Sequence, residues 1–200
     1  QYWGNTLWFT HAPVEPARHR AVRAAGMPCS VYLNWMEIYP QENLPAAPYG
    51  LLDHPEWIAV GHDGERIISG WGTSHQLELY STCMHRRSLH ARAVRQIRAL
   101  FEQDLADGIF IDNAASLAEC HGDSAGVHRH VPGRSNHDLY QELLRTVYAA
   151  VKSHGDDKFV MLNNGNTPEQ WACCDSGMAE ETVIHVDWET LLYKGLLARD

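Results

Sequence analysis

Long apolar runs are missing from this chain. No stretch of its 200 residues approaches the ~20 consecutive apolar residues of a membrane-spanning helix, so no membrane partner is expected. Basic residues are scarce: 16 Lys and Arg stand against 25 Asp and Glu, a formal charge of −9. Phosphate recognition needs a basic face, so a nucleic acid or an anionic membrane is not expected either, and a neutral or cationic ligand fits better. No G-x-G-x-x-G opens a helix, which argues against a dinucleotide cofactor. Cysteine is sparse and irregular. The five, at 29, 83, 120, 173 and 174, are odd in number and follow no framework spacing, so no disulfide scaffold is expected. That fits a reducing compartment without naming one. There is no initiator Met and no signal peptide. The chain opens on Gln1-Tyr2-Trp3-Gly4 and is expected to be a processed chain, an excised domain or a fragment.

What is present is an ordinary globular composition, 44% apolar and 20% charged, long enough for a single domain over residues 1–200 with its own core. Seven Trp and eight Tyr are supplied. Trp35, Tyr39, Trp57 and Trp71 lie in polar, Pro- and Gly-containing stretches rather than in periodic ones. Core packing explains each ring singly and the group less well.

Strand and helix signals alternate along the chain. Leu7–Thr10 reads as a strand ending at His11. Residues 15–25 read as a helix with Pro16 in its first turn and Gly26 as its stop. Cys29–Leu33 is a strand ending at Asn34. A long irregular segment covers 34–88, and segments of that length within compact domains are usually functional. From Ser88, an apolar stripe of Leu89, Ala93, Ile97, Leu100 and Leu105 marks a helix that feeds the strand Gly108–Ile111. After a second irregular loop (114–136), Ser135 or Asn136 caps a helix that stops at Gly155. Phe159–Leu162 is a strand, Pro168–Trp171 a short helix and Ser176–Ala179 a fifth strand. The remainder reads as helical.

Near-continuous apolar strands joined by helices specify a parallel sheet buried on both faces. Polar residues stand at the end of one strand after another: His11, Asn34, Asp112, Asn163 and Glu180. That is the rim pattern of a (β/α)₈ TIM barrel. Only about five strands are readable, so the fold expected is an α/β barrel that is partial or missing its terminal strands.

Asp107-Gly108-Ile109-Phe110-Ile111-Asp112-Asn113 is the most informative stretch. A charge is poorly placed inside a strand, so Asp112 is expected where the strand emerges. Asp112 and Glu180 are the strand-end carboxylates. Glycosidic bond cleavage uses such a pair, one protonated to donate to the leaving oxygen and one ionised to attack the sugar or activate water. Asn side chains nearby both donate to and accept from sugar hydroxyls.

His54-Pro55-Glu56-Trp57, Asp63-Gly64, Tyr80-Ser81-Thr82-Cys83 before a helix, and Asp107–Asn113 together resemble bacterial glycoside hydrolases with (β/α)₈ barrels. The resemblance covers roughly residues 30–190. It is to glycosyl-hydrolase-like barrels related to the endo-α-1,4-polygalactosaminidase and α-galactosidase superfamily. It implies an Asp at the end of the fourth strand, matched by Asp112, and an acid at the end of the sixth, matched by Glu180 in Asp175–Glu180. It further implies a retaining glycosidase with Asp112 as nucleophile and Glu180 as acid/base. The chain departs from the family by stopping before the last strands.

Glu181 competes with Glu180, because one register step exchanges the inward side chain. Asn113 and Asn163 are candidates to orient the carboxylates or bind hydroxyls, although Asn163-Asn164-Gly165-Asn166 also reads as a plain turn. His11 and Asn34 are rim candidates, and Trp35, Trp57 and Trp71 are candidate sugar platforms. Glu37, Glu56 and Asp187 are other acids in informative places, with Glu56 read as a cap or ion-pair partner within the long loop. Cys120-His121 with His128 and His130 supplies zinc ligand types, but C-H-x₆-H-x-H matches no standard pattern, so the segment reads as a solvated loop. No metal and no cofactor are expected. The partner expected is a carbohydrate substrate. The alternatives are a non-catalytic carbohydrate-binding barrel and a metal-dependent barrel hydrolase.

Overall fold

The structure is a computed structural model, and it describes residues 8–11, 15–38, 54–76, 78–114, 117–165 and 167–178. The elements in chain order are β1 (Trp8–His11), α1 (Pro16–Ala24), β2 (Cys29–Leu33), β3 (Glu37–Ile38), a 3₁₀ turn (Pro55–Trp57), α2 (Gly70–His75), β4 (Tyr80–Ser81), α3 (Arg87–Glu102), β5 (Gly108–Ile111), α4 (Asn136–Lys152), β6 (Phe159–Asn163), α5 (Pro168–Trp171) and β7 (Ser176–Met178). Among these residues no helix is long and apolar enough to cross a membrane.

Local chemistry accounts for the boundaries. Pro16 opens α1, and Gly26, at φ +77°, ends its turn in the left-handed region that glycine enters freely. Of the two candidate caps for α4, Ser135 is the one used. Its N–H donates to Asp138 Oδ2 at 3.0 Å, and the Asp138 N–H donates back to Ser135 Oγ at 3.0 Å. Thr167 and Gln170 form a capping box on α5.

The chain divides into two compact units. The first draws on residues within 1–34, 96–115 and 144–200, and it carries a five-stranded sheet of order β1-β2-β5-β6-β7. Every neighbouring pair is parallel. All four residues of β5 are buried, as are four of five in β2 and in β6. These are the apolar runs that the sequence shows, and burial on both faces is what makes a parallel arrangement stable. Among the described residues strand order follows chain order without reversal, so these five strands show no switch point of the doubly wound kind. This is barrel-type winding. The described residues show five strands of it and not a closed ring.

The second unit comprises residues within 35–95 and 116–143. The 34–88 segment, irregular in the sequence, contributes short elements here. β3 and β4 pair antiparallel, and single bridges join Ile58 to Thr82, Val60 to Arg66 and Ile68 to Tyr80. Asn136, fully buried, ties it together: its Oδ1 accepts from the Met84 N–H, and its Nδ2 donates to Thr82 O at 3.0 Å and Ala118 O at 2.8 Å.

Candidate active site

Asp112 stands one residue past β5, at the carboxyl end of the parallel sheet, half-buried. Register explains its neighbours. Tyr32, Phe110 and Met161 lie side by side on β2, β5 and β6. Alternation places Asp112, two positions after Phe110, on the same face and one layer up. Tyr32 reaches that layer from below, its ring 5.9 Å from the Phe110 ring and its hydroxyl donating to Asp112 Oδ2. Asn163, one step beyond the Ile111–Leu162 pair, donates through Nδ2 to Asp112 Oδ1 at 2.7 Å. Asn113, at φ +52°, turns its own N–H onto the same oxygen at 2.8 Å. Asn tolerates this left-handed turn better than most residues. Three donors therefore converge on one carboxylate, with no cation among them. Oδ1 accepts two of the hydrogen bonds and Oδ2 one.

The other end of the sheet is built differently. Asp107, one residue before β5, accepts from the Cys29 N–H at 2.9 Å and faces Arg23 at 3.4 Å and Lys158 at 3.7 Å. Asp175, one residue before β7, accepts from the Val160 N–H at 2.8 Å and pairs with Lys152 at 2.6 Å. An open depression of about 490 Å³ lies at this amino end, lined by Arg23, Met27, Pro28, Asp107, Asp157 and Phe159. Its one strand-flanking carboxylate is already committed to holding strands together.

The structure thus brings Asp112, Asn113 and Asn163 into one cluster. Asn163 is 1% exposed and bonded to the acid rather than forming an isolated turn. Asn34 follows β2 and is 3% exposed. His11 ends β1 with Tyr32 as its register partner; its side chain lies outside the described residues. Glu180 and Glu181 lie outside them too, as does the side chain of Trp71, whose backbone is in α2. Trp35 and Trp57 belong to the second unit and correct the sequence expectation. At 0% and 1% exposure neither offers an open face to a sugar. Trp57 stacks on His54 at 3.7 Å and donates its indole N–H to Ser88 Oγ at 2.8 Å, so it behaves as a core ring with its polar edge satisfied.

Sequence reasoning missed Tyr32. Its signal is a Tyr at the penultimate position of a buried strand, visible only once β2 is known to lie beside β5. It also missed Cys83, which is fully buried beside Cys120, His128 and His130. The reading of 120–130 as a solvated loop fails at Cys120, which is 3% exposed and accepts a hydrogen bond from the Val60 N–H. Of the two thiols, Cys120 is the one pulled down, chiefly by its hydrogen bond with Cys83 and further by the Val60 and Gly122 N–H groups.

Several solved glycoside hydrolases share this fold. An α-galactosidase of Geobacillus stearothermophilus in complex with raffinose matches with a TM-score of 0.60 and 12% identity, over 91% of this chain and 24% of that one. The α-galactosidase of Lactobacillus brevis matches at 0.57 and 11%, over 90% and 22%. That of Thermus thermophilus, in complex with stachyose, matches at 0.54 and 12%, over 80% and 30%. The chain spans less than a third of each. No curated protein matches the sequence. Residues 31–191, which include Tyr32, Asp112, Asn113 and Asn163, match the model of hypothetical glycosyl hydrolase family 15 (GHL15), and the chain belongs to that family.

Proposed function

We propose that the chain is a glycosidase acting on an oligo- or polysaccharide by a retaining mechanism, with Asp112 as nucleophile. The observation that carries this reading is the Asp112 carboxylate at the carboxyl end of β5, aimed by Tyr32, Asn163 and the Asn113 N–H. Active sites of α/β barrels stand at that end of the strands. Oδ1 already accepts two hydrogen bonds and Oδ2 only one, so Oδ2 is the atom with a lone pair open for attack on the anomeric carbon. Attack forms a glycosyl–Asp112 ester and expels the leaving oxygen, which takes a proton from a second carboxylic acid. Water, deprotonated by that same group, then releases the sugar.

Glu180 is the acid we assign to the second role, and Glu181 is its rival. Glu180 is two positions past Met178, the register partner of Asn163, and a strand's period of two favours it over its neighbour. His11 is proposed to meet sugar hydroxyls at the rim, and Asn34, buried at 3% exposure, to support the rim as a polar group within the protein.

The test is a panel of aryl α- and β-glycosides, led by α-galactosides because solved structures of this fold hold raffinose and stachyose. The hydrolysed sugar is then used as its 2-fluoro glycosyl fluoride to trap the ester. The expected result is a glycosyl adduct on the peptide carrying Asp112. An adduct elsewhere, or full turnover by Asp112→Asn, defeats the nucleophile assignment. A folded chain that neither hydrolyses nor binds any glycoside defeats the reading as a whole.

A further inference from the structure

We propose that Cys83, Cys120, His128 and His130 form a structural zinc site, independent of the glycosidase reading. Each residue offers one ligand atom, and the four atoms lie within 4.8 Å of one another. All four belong to the second unit. Zinc bonds of about 2.3 Å to sulfur and 2.05 Å to nitrogen, at the tetrahedral angle, put neighbouring S and N ligands about 3.6 Å apart. Cys120 Sγ lies 3.4 Å from His128 Nε2, and Cys83 Sγ lies 3.8 Å from His130 Nε2. These values bracket the tetrahedral edge.

The surroundings are those of a built site. Both cysteines are buried in an apolar cluster with Ala59 and Val60, while the two histidines close it from the half-exposed side. Cys83 is anchored by its N–H to Trp57 O at 2.7 Å. His121, next to Cys120, donates its N–H to Val60 O at 2.8 Å. The Val60 N–H in turn donates to Cys120 Sγ at 3.5 Å, the kind of second contact that orients a metal-binding thiolate. Residues 121–128 fold back in a turn that returns the Val127 and His128 N–H groups to Gly122 O, bringing His128 over Cys120. Gly122 lacks the Cβ that would run into the His128 ring at the ligating Nε2. His85 stacks on His130 at 3.9 Å and 5°, and its Nδ1 accepts from the Val131 N–H at 3.1 Å. That stack fixes the plane of the His130 ring.

Two thiolates and two imidazoles select zinc over hard cations, and four protein ligands leave no position for a substrate or water. The ion would therefore serve stability. It would join two segments distant in sequence, around residues 83 and 120–130, in a unit whose described strands are only two residues long. A clip across long loops removes much chain entropy from the unfolded state.

The test uses the full chain purified without a metal-affinity tag. Elemental analysis is expected to find about one zinc per chain, and cobalt substitution to give the visible bands of a tetrahedral thiolate site. Cys120→Ser and His128→Ala are expected to lose the ion, whereas Cys174→Ser keeps it. Should the ligand variants fail to fold, the wild-type chain decides: chelation is expected to lower Tm by at least about 10 °C, and zinc to restore it. The proposal is overturned if all five thiols are free yet no zinc is bound or taken up. A Cys83–Cys120 disulfide, zinc retained in the ligand variants, or a Tm indifferent to chelation overturns it equally.

Discussion

Gly122→Ala is the sharpest probe of the Cys/His cluster, because it touches no ligand and adds one methyl carbon. That carbon would lie 2.6 Å from both Cδ2 and Cε1 of His128 and nearer still to Nε2. Ordinary contact begins at 3.4 Å, so the ring must retreat by roughly 1 Å. Metal–ligand distances tolerate about 0.2 Å, so the retreat removes His128 from the coordination sphere. Disturbing an outer contact alone costs 10–100-fold in affinity, so losing a ligand should cost at least about 100-fold, or about 2.7 kcal/mol. Gly126→Ala is the control. Gly126 sits at φ +71° with nothing within 4 Å of a new Cβ, so alanine there carries only backbone strain of about 1 kcal/mol. Competition against a chromogenic chelator measures zinc affinity, and urea denaturation measures stability. Gly122→Ala should lose zinc affinity, and Gly126→Ala should lose stability with affinity unchanged. A Gly122→Ala chain that binds zinc as tightly as wild type would refute the reasoning.

Two further substitutions probe the units separately. Asn136→Ala strands the Met84 N–H and the Thr82 and Ala118 carbonyls in a buried place, and should cost about 3 kcal/mol by chemical denaturation. A loss below about 1 kcal/mol would show that water replaces these bonds. Tyr32→Phe removes one of three donors to Asp112 and leaves the ring against Phe110. A hydrogen bond to a charged group contributes about 1.5–3 kcal/mol of stability, so Tm should fall by several degrees, and kcat on a hydrolysed glycoside should fall about 10-fold or more because the carboxylate loses one of the donors that aim it. An unchanged kcat would remove Tyr32 from the site.

Legibility followed sequence distance. β2, β5 and α5 fall where their residues place them, because apolar runs, Pro starts and glycine stops act within a few positions. Asp112 was legible because a carboxylate after four buried apolar residues has few other places to go. Tyr32 was not, because its role depends on β2 lying beside β5, a pairing across about 80 positions that periodicity does not encode. Cys83 was hidden for the same reason: 37 positions separate it from Cys120, and no local spacing rule spans them. Trp35 and Trp57 misled because polar flanks argue for exposure, whereas both rings are buried, Trp57 between its near neighbour His54 and the distant Ser88.

Asp107 and Asp112 bracket one strand, and the sheet's polarity gives them opposite work. At the amino end of this sheet an acid just before one strand accepts from a backbone N–H of the adjacent strand, and so holds the two together. Asp107 takes the Cys29 N–H, and Asp175 repeats the arrangement with Val160. At the carboxyl end the Leu33 and Asn163 carbonyls already accept from the Asp112 and Ala114 N–H groups, so the Asp112 carboxylate is not needed to join backbone across strands. Asp112 is instead met by side-chain donors that fix its direction. The same substitution at both sites separates the roles. Asp107→Asn keeps an acceptor but loses the charge facing Arg23 and Lys158, so it should cost about 1–2 kcal/mol of stability and little turnover. Asp112→Asn can keep its oxygen toward Asn163 and donate to Tyr32, whose hydroxyl also accepts. It should therefore fold as wild type and lose at least about 1,000-fold in turnover. Stability lost at 112 and turnover lost at 107 would reverse the assignment of the sheet's two ends.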